Sequence, residues 1–139
     1  MTKNDSLLFG LNNSELAYLL VRLGLGVNLF FHGLVRLPKL SGFVQYMEKN
    51  FAESMLPSFL VTPMAYAIPL LEFVLGLMLL LGLKTKLALV GTAALMMTLV
   101  TGCCVIENWG PLDSQMSLLV IAAALIVFLR HNRCALTNE

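Results

Sequence analysis

The side chains able to do chemistry are few: Arg22, Asn28, His32, Glu72 and the vicinal pair Cys103-Cys104. An arginine and a glutamate at these positions can pair, move a proton or hold a polar ligand. A histidine can donate, accept or shuttle a proton near neutral pH. Two adjacent thiols raise a redox question, but adjacent cysteines form only a strained disulfide, and the chain has no Cys-x-x-Cys motif. No grouping of His, Cys, Asp and Glu has metal-ligand spacing, so no metal is expected. No phosphate-binding glycine loop, His-Glu-x-x-His motif or haem-holding histidine pair occurs either.

What makes these residues notable is the apolar sequence around them. Hydrophobic residues are 58% of the 139 and charged ones 12%, with a mean hydropathy of +0.84. A soluble domain carries about 25% charged residues, and a disordered chain must be far more polar. A net charge of +1 gives no basic field for nucleic acid. The chain reads as one integral membrane domain over 1–139.

A crossing helix needs about 20 mostly apolar residues. Four stretches qualify: 16–37, 64–83, 87–106 and 112–129. The expected fold is all-α, a four-helix transmembrane bundle. The polar run Asn12-Asn13-Ser14-Glu15 can cap the first helix. Gly82-Leu83-Lys84-Thr85-Lys86 is a tight turn, and Asn108-Trp109-Gly110-Pro111 is another, with Trp109 at interfacial depth. In the connection 38–63, Leu40, Phe43, Val44, Met47, Phe51 and Met55 recur at helical spacing. That pattern fits a short amphipathic helix, either lying in the membrane interface between the first and second spans or capping the bundle. Lys3, Lys84, Lys86, Arg130 and Arg133 fall on one side, and Arg36, Lys39 and Lys49 on the other. The balance puts both termini in the cytoplasm.

Each charge inside a span requires a partner. With helix ends taken as level, Arg22 lies roughly 9 Å from the cytoplasmic surface, Glu72 roughly 16 Å, Asn28 roughly 18 Å and His32 roughly 24 Å. Arg22 and Glu72 are therefore expected to meet inside the bundle, with Asn28 as a third member. That contact is either a structural clamp or a proton or ligand site. Cys103 comes out at the depth of His32, so outer-side thiols could converge there, with Glu107 near Arg36. Arg22, Gly26, Leu29, Gly33 and Arg36 share one arc of the first helix, and Glu72 and Gly76 share one on the second. Gly26, Gly33 and Gly76 are expected to bring helices close.

These landmarks resemble the DoxX family of small four-helix membrane proteins. The run Arg22-Leu-Gly-Leu-Gly-Val-Asn-Leu-Phe-Phe-His32-Gly33-Leu-Val-Arg36-Leu is similar to the family's opening motif. Glu72-Phe-Val-Leu-Gly76-Leu-Met-Leu-Leu-Leu-Gly82-Leu-Lys-Thr-Lys86 resembles its second signature, with Lys86 where the family often has arginine. The resemblance implies a bundle in a bacterial inner membrane, and carries over Arg22, His32, Gly33, Glu72 and Gly76. Some relatives are associated with thiosulfate–quinone oxidoreductase or quinol oxidase complexes, others with redox stress or assembly of partners. The expected role is a small accessory subunit of a membrane redox complex. It would contact quinone or lipid and work with a redox subunit or further copies of itself. The alternative is a non-enzymatic assembly factor or scaffold. No catalytic residue and no self-contained redox centre is legible.

Overall fold

The computed structural model describes residues 9–137; Lys3, counted above in the charge balance, lies outside them. Five α-helices follow in chain order: α1 Asn13–Arg36, α2 Leu40–Phe51, α3 Ser58–Leu81, α4 Thr85–Val105 and α5 Leu112–Val127. No strand occurs among the described residues. The stretch from α1 through α2, α3 and α4 are each long and apolar enough to cross a membrane, while α5 is a shorter apolar helix.

The first helix starts as its polar leader requires. Asn12 accepts from the Glu15 backbone N–H at 2.9 Å, and the Asn12 backbone N–H donates to Glu15 Oε2 at 3.0 Å. This capping box satisfies two donors that a helix start otherwise leaves open. Asn12→Ala should cost about 1 kcal/mol, read as a lower unfolding midpoint of the purified chain. At its far end α1 passes through a 3₁₀ turn at Leu37–Lys39 directly into α2.

Two boundaries differ from the sequence reading. The second long helix begins at Ser58 and carries Pro63 inside it, so the connection is shorter than 38–63. Pro63 gives up one backbone hydrogen bond without ending the helix. Likewise α2 stops at Phe51, and Met55 is exposed. Val44 and Phe51 of α2 are buried and Phe43 and Met47 pack on the core, while Gln45, Glu48 and Lys49 are exposed. The apolar side of α2 therefore faces the bundle, and Thr62 of α3 donates to Glu48 at 2.6 Å.

The most extensive packing is between α1 and α3. Its glycines set an antiparallel register. A Cβ on Gly26 would lie 3.1 Å from Leu80, one on Gly76 would lie 2.6 Å from Phe30 Cα, and one on Gly33 would lie 2.6 Å from Pro69 O. Backbones touch there because nothing larger than hydrogen fits. Gly82, at φ 67, ends α3 in the left-handed conformation, and Lys84 at φ 40 completes the turn into α4. Leu25, Leu29, Leu75, Leu79, Leu89, Met96 and Leu125 form the core.

Candidate functional site

The register decides which polar groups meet, and it does not join Arg22 to Glu72. Glu72 is 3% exposed and pairs with Arg36, whose Nη1 donates to Oε2 at 2.6 Å and to Oε1 at 2.7 Å. Arg22 instead donates to Asn132 Oδ1 at 2.5 Å. The level-ends assumption placed Leu16 opposite Leu83. The glycine contacts place the α3–α4 turn beside Arg22, whose Nη1 would lie 2.9 Å from a Cβ on Gly82. The slip is about six residues, roughly 9 Å along the axis. It carries Glu72 further from Arg22 and up to the last turn of α1, where Arg36 lies on the Gly33 arc. Asn28 makes no hydrogen bond to Glu72; its carbonyl takes up His32 Nδ1 at 2.8 Å.

The Arg36–Glu72 pair lines a cavity of about 630 Å³ at the end of the bundle that carries α2. Asn28 and His32 from α1, Phe43 and Met47 from α2, Cys103 from α4 and Gln115 from α5 also line it. The bonding of His32 Nδ1 leaves Nε2 free for a ligand. Arg36 sits over the Phe43 ring, 5.1 Å from its centroid, so one guanidinium ties α1 to both α2 and α3. Of the vicinal thiols Cys103 lines the cavity, whereas Cys104 is exposed and does not. Both are free, as is Cys134. Glu107, in a turn at φ 54, makes no ion pair with Arg36.

Two residues were missed from sequence. Arg36 stands on the Gly33 arc and in the charge balance, but nothing local marks it as the partner of Glu72. Gln115 had no signal at all, being one amide near the start of α5. Its Oε1 is buried without a donor. A mostly apolar cavity with His32 and an ion pair in its wall suits a ligand with an apolar body and a polar head. Among the described residues no group of three or more His, Cys, Asp or Glu side chains could hold a metal ion.

A second polar cluster lies at the opposite end. Arg22 is 2% exposed, and Asn132 Nδ2 donates to Thr85 Oγ1 at 2.9 Å, so the segment after α5 is folded back onto the α3–α4 turn. Thr137 accepts from the Lys84 backbone N–H at 2.7 Å, and Glu15 meets Arg133 at 3.3 Å.

Comparison with curated proteins and with solved structures gives no match. The DoxX family model matches residues 17–105, from the first turns of α1 to the end of α4. That span is well over half of the chain and contains His32, Arg36, Glu72 and Cys103, and on it the protein belongs to the DoxX family.

Proposed function

We propose that the chain is an accessory subunit of a membrane redox complex, whose cavity receives the head of a quinone or a similar amphiphile. The observation that carries this is one mostly apolar cavity lined by His32, the Arg36–Glu72 pair and Gln115. A quinone brings a two-electron, two-proton acceptor to such a site. The protein's part is to hold and orient it: Arg36 has N–H groups to offer a carbonyl, His32 Nε2 can accept from the hydroxyl of the reduced form, and Phe43, Met47 and Leu99 cover the ring. Glu72 fixes Arg36 in place and can take up or release a proton. Electrons come from a partner subunit.

On this reading the three long apolar stretches and the shorter α5 all cross the bilayer of a bacterial inner membrane, with both termini cytoplasmic. The 16 residues of α5 rise about 24 Å, so the bilayer thins slightly or the 3₁₀ turn at Leu129–His131 completes the crossing. Lys84, Lys86, Arg130 and Arg133 gather at the end assigned to the cytoplasm, which supports that orientation.

Thiol labelling tests the cavity. Decylubiquinone added to the purified chain should slow maleimide labelling of Cys103 several-fold and leave Cys104 unchanged. Equal rates with and without the quinone would remove it as the ligand. If Glu72→Gln then lowered the yield of a co-purifying partner without affecting labelling, the scaffold reading would take its place.

A further inference from the structure

Buried charge without a counter-charge is the costliest feature a membrane helix can carry. Among the described residues Arg22 carries one. There its only hydrogen bond is to the neutral Asn132 amide, and its Nε is buried with no partner. One turn earlier on the same face, Tyr18 is 4% exposed and its hydroxyl is also buried without a partner. The nearest carboxylate on α1, Glu15, is engaged by the Asn12 backbone and by Arg133. No carboxylate bonds Arg22 among the described residues. Lys84, Lys86, Arg130 and Arg133 lie at the same end, so the surroundings add positive charge rather than cancel it.

We propose that Tyr18 and Arg22 are the donors of an oxyanion site, for the phosphate of a lipid headgroup or a free phosphate, over which residues 129–137 close. Two unpartnered donors one turn apart, a guanidinium N–H and a phenolic O–H, require an acceptor with at least two oxygens and negative charge. Phosphate meets that need, and this end of the bundle lies at the depth of lipid phosphates if the α3–α4 turn marks the membrane surface. Asn132 Oδ1, at 2.5 Å from Nη1, occupies the place of one anion oxygen as a neutral stand-in. The cover is held by a few polar contacts: Asn132 to Thr85, Thr137 to Lys84 and Gly82, and an exposed Arg133 to Glu15. An anion that paired Arg22 fully could displace the amide and lift that segment.

The test uses the full chain, stripped of lipid in dodecyl maltoside. One arm adds phosphatidylglycerol and counts bound lipid by native mass spectrometry. The other adds inorganic phosphate and reads the unfolding temperature against sodium chloride of equal ionic strength. At least one arm should show saturable binding, and the arm that responds identifies the source. Tyr18→Phe, which keeps the ring and removes the hydroxyl, should weaken binding about tenfold, as expected for one hydrogen bond to a charged group. Asn132→Asp places a carboxylate beside Arg22, so it should abolish binding and raise the unfolding temperature of the anion-free chain. Saturation in neither arm would overturn the proposal, as would binding that both variants leave intact. So would an Asn132→Asp chain no more heat-stable than the parent, because Arg22 would then need no counter-charge.

Discussion

Gly76→Val should prevent the bundle from assembling, while Gly24→Ala and Gly42→Ala leave it intact. A Cβ at Gly76 would sit against Phe30 N and 2.6 Å from Phe30 Cα, and both are backbone atoms that cannot rotate away. The two helices must separate, along the most extensive interface of the bundle. In a membrane that separation is not offset by any hydrophobic drive, because lipid is as apolar as the core; close van der Waals contact is what holds helices together. A cost of about 3 kcal/mol, the upper end of the usual range for overpacking, follows because the clash is with backbone. Gly24 and Gly42 have open space where a Cβ would stand. The measurement is the fraction of chain that elutes as a single species in detergent after mild heating. A Gly76→Val chain that eluted and melted like Gly24→Ala would refute the close α1–α3 contact.

Those same glycines explain which parts of the fold can be read from sequence. The apolar runs, the Asn12–Glu15 cap and the Gly82 turn are local, and each is written in consecutive residues. Pro63 misled because a proline usually marks a boundary, whereas here the helix simply runs through it. The pairing of Glu72 is not local. It depends on how far α3 slides along α1, and a slip of two turns exchanges Arg22 for Arg36. The sequence did place Arg36 on the same arc as Gly33, so the correct partner was visible as a face but not as a depth. Arg22's actual partner, Asn132, lies 110 positions away in a segment with no periodicity. Nothing short of the folded chain connects the two.

Arg36→Leu should destabilise the protein by about 3–5 kcal/mol, the usual loss when one member of a buried ion pair is removed. The two partners are not equivalent. The Arg36 side chain is 34% exposed and Glu72's only 4%. Without Glu72, the guanidinium at the end of α1 can extend to the interface and keep its water. Without Arg36, the short Glu72 side chain, 4% exposed in the middle of α3, cannot reach the interface and is left buried without a positive partner. Arg36→Leu should therefore cost more than Glu72→Leu, and it should also loosen α2, because the Arg36 contact with Phe43 goes with it. Adding Glu72→Gln to Arg36→Leu removes the stranded charge and should recover most of the loss. Unfolding midpoints of the two single variants and the double variant measure this directly. If Glu72→Gln gave no recovery, the pair would not be the contact that sets α1 against α3. If it restored stability but Cys103 no longer responded to quinone, Arg36 and Glu72 would be part of the ligand site itself. Recovery of both together, in a chain that lacks the pair, would make Arg36 and Glu72 a clamp alone.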